Sequence, residues 1–221
     1  MITKTQSRKV SIVDYGVGNV GALINMFDYL GADAYAVTDA QGILDSERLV
    51  LPGIGAFDKA MSNLADRYLL EPLNKAVKEM HIPVLGVCLG MQLLARSSEE
   101  GERPGLGWIA ADVKRIKLPP NSSLKVPHIG WTDVFPAGDH QLFASPDHAQ
   151  EPDRFYFDHS YYMACDNANE IAGTIDYEGS LCCAVRRNNI TGMQFHPEKS
   201  HRFGMRVLNA WLDTAATAIQ V

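Results

Sequence analysis

The segment around Cys88 has the residue types and spacing of a reactive cysteine. Gly86 and Gly90 flank Cys88 at two residues on each side, after a short apolar run that predicts a buried strand. This Gly-x-nucleophile-x-Gly spacing is that of a nucleophile elbow, where glycine permits close approach of the strand and the following helix. A helix beginning near Leu89 would place its positive end at Cys88 and favour thiolate over thiol. A buried cysteine acting only as a small hydrophobe is the alternative, and a catalytic role requires a base elsewhere in the chain.

The chain has seven histidines that are candidates for that base. Three of them lie near the ends of predicted strands: His128, His159 and His196. The other four precede the elbow strand, lie in polar loops or open the final helix: His81, His140, His148 and His201. Of the first three, only His196 has a carboxylate two residues on, Glu198, in an extended segment where both side chains project to the same side. Glu198 could therefore orient one imidazole nitrogen while the other faces sulfur, although a purely structural His-Pro-Glu turn is the alternative.

An acyl-transferring cysteine also needs hydrogen-bond donors for the oxyanion that forms on attack. In an elbow the residue after the nucleophile normally gives one N–H, here Leu89. The turn at residues 52–57 follows a predicted strand, and its backbone around Gly53 and Gly55 is the natural source of a second donor. Gln92, one helical turn beyond the cysteine, can face the same cleft, although a helix-surface glutamine is the commoner case. These residues predict a cysteine hydrolase with a pocket for a small substrate.

A glycine pattern near the N-terminus suggests a different function. Gly16, Gly18 and Gly21 match Gly-x-Gly-x-x-Gly between a predicted strand and a predicted helix, which is the dinucleotide-binding fingerprint. Asp33 and Asp39 bracket the place of its acidic residue, but neither clearly ends a second strand. We prefer a tight surface loop with a different partner, and a dinucleotide-binding module remains a rival hypothesis.

Strands alternate with helices through the first half of the chain. Apolar runs at residues 10–14, 34–37 and 48–51 predict strands, and Asn19 is a candidate N-cap for the first helix. The helix after the elbow is expected over residues 89–96. This alternation predicts a mainly parallel sheet with ligands at the carboxyl ends of its strands, where the elbow and the glycine turn both lie.

The second half of the chain is less regular. Residues 97–145 are expected to form short, partly antiparallel strands and loops added to the sheet. An aromatic segment predicts a strand ending at residues 159–160, and residues 181–186 and 190–195 predict a hairpin. Ser200 is a candidate N-cap for a last helix with one apolar stripe.

Composition narrows the class of protein. The 221 residues, 46% of them hydrophobic, suffice for a single large α/β domain over residues 1–221. A net charge of -6 argues against nucleic-acid and anionic-membrane partners. Four cysteines without a Cys-x-x-Cys pair indicate reduced thiols. We see no signal peptide and no bilayer-spanning stretch, and we expect a soluble, cytoplasmic protein.

Together these motifs resemble the class I, triad-type glutamine amidotransferases, and in particular the glutaminase subunits of imidazole glycerol phosphate synthases. The motifs that carry the resemblance span the chain in order: residues 14–19 (Asp-Tyr-Gly-Val-Gly-Asn), 52–57 (Pro-Gly-Ile-Gly-Ala-Phe), 86–90 (Gly-Val-Cys-Leu-Gly), 127–131 (Pro-His-Ile-Gly-Trp), 157–161 (Phe-Asp-His-Ser-Tyr) and 194–200 (Gln-Phe-His-Pro-Glu-Lys-Ser). The resemblance implies a three-layer α/β fold whose mainly parallel central sheet carries added antiparallel strands.

The same resemblance implies the chemistry of the site. Cys88 would attack the carboxamide of glutamine, His196 would act as acid and base, and Glu198 would orient His196. Three residues would form an oxyanion hole that is completed only when a partner subunit is loaded: Leu89, Ile54 and Gly55. Four residues would hold the glutamine: Gln92, Gly53, Ser160 and Tyr161.

The ammonia released has no use within this chain. The resemblance implies a separate cyclase subunit with the fold of a (β/α)8 barrel, which receives ammonia and makes imidazole glycerol phosphate and aminoimidazole carboxamide ribotide in histidine biosynthesis. It implies no cofactor and no metal. Five residues are the expected contacts with the cyclase: Tyr15, Gly16, Asn19, Ile129 and Trp131. Thr132 stands where asparagine is frequent and Asp158 where an apolar residue is frequent, departures that concern the interface rather than the chemistry.

Two further rivals remain open. A glutaminase subunit of another synthase, such as the pyridoxal-phosphate one, would have the same chemistry at Cys88. A peptidase or deglycase with a similar elbow should process its substrates without any partner.

Overall fold

The computed structural model describes residues 8–138, 142–143 and 152–218; the candidate bases His140 and His148 lie outside these ranges. The helices are α1 (Val20–Tyr29), α2 (Ala40–Leu44), α3 (Phe57–Asp66), α4 (Leu70–Asn74), α5 (Leu89–Gln92) and α6 (His201–Ala218). The strands are β1 (Lys9–Val13), β2 (Asp33–Val37), β3 (Leu49–Leu51), β4 (Val84–Val87), β5 (Ser97–Ser98), β6 (Ala111–Arg115), β7 (His128–Pro136), β8 (Asp153–His159), β9 (Tyr161–Cys165), β10 (Ile171–Asp176), β11 (Ser180–Arg187) and β12 (Ile190–Met193). Within the described ranges, no helix is both long enough and apolar enough to cross a membrane.

The first β-α unit forms as the sequence predicts. Asn19 caps α1, because its Oδ1 accepts the N–H of Ala22 at 3.1 Å. Leu23 and Phe27 lie on the buried face of α1 and pack in the same core as Val10 of β1. This packing holds the loop at residues 14–19 at the carboxyl end of β1.

A nine-stranded sheet forms the middle layer, in the order β2-β1-β3-β4-β12-β11-β10-β7-β8. Strands β2, β1, β3, β4 and β12 run parallel, and the other four extend the sheet as antiparallel strands. Both faces are buried: Val84 of β4 packs in the core that contains Phe57 of α3, whereas Leu85 packs in the core that contains Phe27 of α1 and Trp211 of α6. The three-layer α/β fold is confirmed.

β4 lies between β3 and β12 and pairs in parallel with both. Leu51 of β3 pairs with Gly86, and Met193 of β12 pairs with Val87. Because parallel strands end at the same edge of a sheet, the turn after β3, the elbow after β4 and the segment after β12 meet there.

The prediction for residues 97–145 is wrong in part, because not all of its strands join the main sheet. β7 does join it, but β5 and β6 form a separate three-stranded sheet with β9. The chain reverses at Ser160, whose carbonyl accepts the N–H of Ile116 at 2.9 Å, so that β9 pairs with β6 instead of continuing β8. Val113 of β6 and Met163 of β9 bury this small sheet against the core that contains Phe57.

The helix after the elbow is shorter than predicted: α5 ends at Gln92 and not at residue 96. The next carbonyls accept hydrogen bonds from a loop further along the chain, where Leu106 N–H donates to Leu93 at 2.8 Å and Gly107 N–H donates to Ala95 at 3.0 Å. These bonds replace a further helical turn. They form between residues that are distant in sequence, so local periodicity does not reveal them.

Ser200 precedes α6 as predicted, but its side chain does not cap that helix. Its hydroxyl donates to the carbonyl of His196 at 2.6 Å and accepts the N–H of Tyr156 at 3.0 Å. The backbone carbonyl of Ser200 accepts the N–H of Gly204 at 3.1 Å. The hydroxyl therefore fastens the segment at His196 to β8.

Candidate active site

Cys88 occupies a sharp turn between β4 and α5. Its φ is 53° and its ψ is -112°, an unusual conformation for a residue with a side chain and one that clusters at functional sites. Gly90 leaves no room for a side chain, because a Cβ there would lie 1.8 Å from the carbonyl oxygen of Leu51. The turn thus presses α5 against the end of β3 and holds the Cys88 thiol at the carboxyl edge of the sheet.

His196 follows β12 and lies beside the elbow. Its Nδ1 hydrogen-bonds to Oε1 of Glu198 at 2.7 Å, and its ring lies close enough to Cys88 for the sulfur to influence the pKa of the imidazole. The backbone N–H of His196 donates to the carbonyl of Tyr156 at 2.9 Å, which fixes the turn. The structure therefore brings Cys88, His196 and Glu198 into one row.

The environment of His196 favours the protonated imidazole. Burial lowers its pKa, but the hydrogen bonds and charges of Cys88 and Glu198 together raise it to about 10. An imidazolium beside the sulfur is the partner that a thiolate requires.

A cavity of about 280 Å³ opens over this row. Its lining residues come from the elbow, the glycine turn, the start of β9 and the segment after β12: Ile54, Gly55, Cys88, Leu89, Gln92, Glu100, Pro127, Asp158, His159, Ser160, Tyr161, His196 and Lys199. The predicted oxyanion residues and three of the four predicted glutamine-binding residues are among them.

Gly53 is the exception, and its contact with substrate stays a prediction. It is buried behind the cavity wall, where an added Cβ would lie 2.5 Å from the backbone nitrogen of Gly90. The role of Gly53 is to let the glycine turn pack directly on the elbow. Gly55, two residues on, has a φ of +104° and reaches the cavity.

The predicted contact of Tyr15 with a partner subunit is wrong. Its side chain is fully buried, so it cannot touch a partner protein. Burial and the neighbouring Cys88 raise the pKa of its hydroxyl well above the ordinary value, and the hydroxyl donates to the carbonyl of Pro52 at 2.5 Å. Tyr15 therefore ties the loop at residues 14–19 to the glycine turn.

The other four predicted interface residues are at the surface. Gly16 and Asn19 are exposed, Ile129 is 59% exposed and Trp131 is 43% exposed. Trp131 stacks on the ring of His201 with centroids 5.6 Å apart. These residues are available to a partner, and their role as an interface stays a prediction.

The glycine fingerprint does not form an open phosphate site in this fold. A Cβ on Gly16 would lie 2.7 Å from the guanidinium of Arg67, and one on Gly18 would lie 2.9 Å from the side chain of Pro52. Gly16 and Gly18 therefore allow the loop at residues 14–19 to pack closely on α3 and on the turn at residues 52–57. This is the tight surface loop that we preferred over a dinucleotide site.

Three charged residues that sequence reasoning missed line the cavity: Glu100, Asp158 and Lys199. Glu100 also accepts the N–H of Phe57 at 2.9 Å, so it caps α3 from outside. No local pattern marks Glu100 in its polar segment.

Gln194 is a further residue that sequence reasoning missed, and its side chain hydrogen-bonds to Cys88. It lies two residues before His196 in extended chain. The same alternation of side chains that pairs His196 with Glu198 could therefore have found it.

His128 and His159 are buried in a hydrogen-bonded chain of their own. Nδ1 of His159 donates to the carbonyl of Tyr161 at 2.8 Å, so its Nε2 accepts from Nδ1 of His128 at 3.0 Å. Nε2 of His128 then accepts the hydroxyl hydrogen of Thr132 at 2.8 Å. Burial lowers the pKa of His128 to about 4 and that of His159 to about 3. Both are neutral donors and acceptors at physiological pH.

This neutral pair should make folding sensitive to mild acid. Unfolded histidines bind protons below about pH 6.5, whereas His128 and His159 stay neutral in the folded chain, so the free energy of unfolding should fall as pH falls from 6.5 towards 4. His196, whose pKa is raised, contributes in the opposite direction in both proteins. In His159→Gln the loss between pH 7 and pH 5, measured by urea unfolding, should therefore be clearly smaller than that of the native chain. His81→Gln, at an exposed site, is the control and should lose as much as the native chain. An equal loss in His159→Gln would contradict the assignment.

Among the described residues, no group of three or more His, Cys, Asp or Glu side chains is placed to hold a metal ion. The four cysteines are free thiols.

Comparison with known proteins identifies the class. The family model of class-I glutamine amidotransferases matches residues 11–213, and the chain belongs to that family. A curated relative from Methanococcus maripaludis, "Imidazole glycerol phosphate synthase subunit HisH 2", is 44% identical over 206 residues, which are 93% of this chain and 100% of the relative. "Imidazole glycerol phosphate synthase subunit HisH" of Leptospira interrogans is 44% identical over 200 residues, 90% of this chain and 97% of the relative.

Solved structures support the fold. The structure of PurLQS from Thermotoga maritima matches with a TM-score of 0.72 and 17% identity, over 94% of this chain and 99% of that one. The glutaminase domain of CTPS from Trypanosoma brucei matches with a TM-score of 0.64 and 15% identity, over 94% of each of the two chains.

Proposed function

We propose that this chain hydrolyses L-glutamine to glutamate and ammonia, with Cys88 as nucleophile, His196 as acid and base, and Glu198 orienting His196. One observation carries the proposal: in a class-I glutamine amidotransferase, the strained Cys88 turn and the His196–Glu198 pair, joined at 2.7 Å, meet beside one cavity. We also propose that residues 1–221 form a single amidotransferase domain, since the family model extends over residues 11–213.

The reaction begins at the sulfur. The Cys88 thiolate, paired with the His196 imidazolium, attacks the carboxamide carbon and forms a C–S bond. As the oxyanion collapses, the C–N bond breaks and His196 gives its proton to the leaving nitrogen, so that neutral ammonia departs. His196 then takes a proton from water, which attacks the thioester, and glutamate leaves as the C–S bond breaks.

The oxyanion requires donors that face the cavity. The N–H of Leu89 belongs to the first turn of α5, and Leu89, Ile54 and Gly55 all line the cavity. The N–H of Leu89 and the peptide between Ile54 and Gly55 are both proposed to donate to the oxyanion, where each donor is worth on the order of 3 kcal/mol of barrier.

Recognition of free glutamine requires an acceptor for its ammonium group. The side-chain nitrogen of Gln92 donates to the carbonyl of Tyr161 at 3.1 Å and to Oε1 of Gln194 at 3.0 Å, which uses both of its hydrogens. Only the oxygen of Gln92 is left for a ligand, and an oxygen accepts from ammonium. Glu100 adds a negative charge to the same cavity. Ser160 and Tyr161 complete the proposed glutamine site.

We further propose that the chain is the glutaminase subunit of an imidazole glycerol phosphate synthase, as its relatives are named. A cyclase subunit would take the ammonia and make imidazole glycerol phosphate and aminoimidazole carboxamide ribotide in histidine biosynthesis. Gly16, Asn19, Ile129 and Trp131 would lie in the interface. Because the nucleophile must stay a free thiol, we propose a cytoplasmic location.

Glutamate formation with different partners tests this function. We expect slow hydrolysis by the chain alone and a strong increase when the cyclase and its ribotide substrate are added. Addition of a pyridoxal-phosphate synthase should give no increase. An increase with that synthase but not with the cyclase would assign the chain to the rival pathway, and rapid hydrolysis of peptides without any partner would favour the peptidase alternative.

A further inference from the structure

Gln194 is a buried amide at the reacting sulfur. It follows β12 directly, has no exposed surface, and its Nε2 lies 3.8 Å from Sγ of Cys88. The backbone places it there, because Cys88 N–H donates to the carbonyl of Met193 at 2.7 Å across the parallel β4–β12 pair. A buried amide is costly unless its groups are hydrogen-bonded, so the contact with sulfur is part of how this residue is accommodated.

Hydrogen bonds fix which end of the Gln194 amide faces the sulfur. Nε2 of Gln92 donates to Oε1 of Gln194 at 3.0 Å and to the carbonyl of Tyr161 at 3.1 Å. A carbonyl accepts only, so Gln92 must present its nitrogen to Tyr161 and therefore to the oxygen of Gln194. The nitrogen of Gln194 is left facing Cys88.

The carbonyl of Tyr161 accepts a second hydrogen bond, from Nδ1–H of His159 at 2.8 Å. His159 is one end of a series of hydrogen bonds that runs through His128 to Thr132. Neutral, buried histidines cannot reverse these directions without leaving a polar atom unpaired. The hydrogen-bonded chain that meets Gln92 at the carbonyl of Tyr161 therefore reaches back to β7.

We propose that Gln194 is a catalytic residue that donates a hydrogen bond to the Cys88 thiolate, with Gln92 as the residue that orients it. This inference rests on the proposed glutaminase function and adds to it. His196 removes the proton from the thiol, and Gln194 stabilises the resulting anion without giving up its own hydrogens. An N–H donor stabilises an anionic acceptor more than a neutral one, so it shifts the balance from thiol to thiolate.

The test is the pH dependence of Cys88 alkylation by iodoacetamide in the full chain. Mass spectrometry of the Cys88 peptide separates it from Cys165, Cys182 and Cys183. In Gln194→Met, which keeps the size of the side chain but removes the donor, the midpoint of alkylation should rise by about one pH unit. Glutamine hydrolysis at neutral pH should fall about tenfold in the same variant. Thr191→Val, another buried polar position on β12, is the matched control and should behave as the native chain.

Gln92→Met is a second variant that tests the inference if Gln194→Met does not fold. It releases the Gln194 amide and should raise the midpoint of Cys88 alkylation in the same direction by a smaller amount. An unshifted midpoint in Gln194→Met, or in Gln92→Met should the first variant be unfolded, would overturn the assignment. Because alkylation needs no glutamine, an unshifted midpoint in an active chain contradicts this inference alone. A shifted midpoint in a native chain that hydrolyses no glutamine contradicts the proposed function alone.

Discussion

Cys88→Ala is expected to lose glutamine hydrolysis by at least about a thousandfold, in the isolated chain and in the complex with a cyclase. Among the described residues that line the cavity, Cys88 carries the only thiol, and it lies in one row with His196 and Glu198, whose hydrogen bond of 2.7 Å orients the imidazole. The measurement is glutamate release in a coupled assay.

Cys183→Ala is the matched control for that result. Cys183 is also fully buried, and burial raises the pKa of its thiol well above the ordinary value, so it is held as a neutral thiol away from the cavity lining. It should keep the native rate. A Cys88→Ala protein that retains more than about a tenth of native hydrolysis, with its fold intact, would contradict covalent catalysis at this residue.

Gly90→Ala should have the largest effect on the fold of the site. Its Cβ would lie 1.8 Å from the carbonyl oxygen of Leu51 and 3.2 Å from the carbonyl carbon of Pro52. Both atoms belong to backbone, so β3 and α5 must separate. We expect a loss of about 3 kcal/mol or more in the free energy of unfolding, because overpacking against a backbone has no rotamer to relieve it. Hydrolysis should fall as well, since the thiol and the oxyanion donors move apart.

Gly21→Ala provides the comparison for this variant. A Cβ on Gly21 meets nothing within 4 Å, and the residue is in α1. Alanine is the better helix former, so this variant should be as stable as the native chain or more stable by up to about 1 kcal/mol. Urea unfolding of the two variants measures the difference. Equal stabilities would show that the elbow is less tightly packed than the structure indicates.

Local patterns in the sequence were sufficient to predict the three residues of the proposed triad, Cys88, His196 and Glu198, but not Gln194. Two glycines around Cys88 predict the turn because a strand and helix can approach so closely only there. His196 and Glu198 are two residues apart in an extended segment. Because successive side chains of an extended chain point to opposite faces, this spacing predicts that the two side chains lie on the same face. Both predictions depend on residues within a few positions of each other, which is the range over which sequence alone is informative.

The assembly of these pieces depends on long-range pairing that no local pattern contains. Gln194 and Cys88 are 106 residues apart and become neighbours only because β12 pairs with β4. The reversal at Ser160 and the early end of α5 likewise follow from hydrogen bonds to distant loops.

The wrong prediction for Tyr15 and the burial of Gly53 have a common cause. Tyr15 and Gly53 belong to the right motifs, but their burial is set by the contact of three separate turns, at residues 14–19, at the glycine turn and at the elbow. Exposure of a turn residue is a property of that packing. The sequence identifies the turns and not which of their residues face outward.

The most direct test of ammonia transfer to the cyclase follows the amide nitrogen of glutamine. The chain is combined with the cyclase, its ribotide substrate and glutamine carrying a heavy-isotope label in the amide group, in the presence of excess unlabelled ammonium. If Cys88 makes ammonia for delivery inside the complex, the label should enter the imidazole product in preference to nitrogen from the solution. An unlabelled imidazole product, with the labelled nitrogen recovered as free ammonium, would contradict transfer between the two proteins.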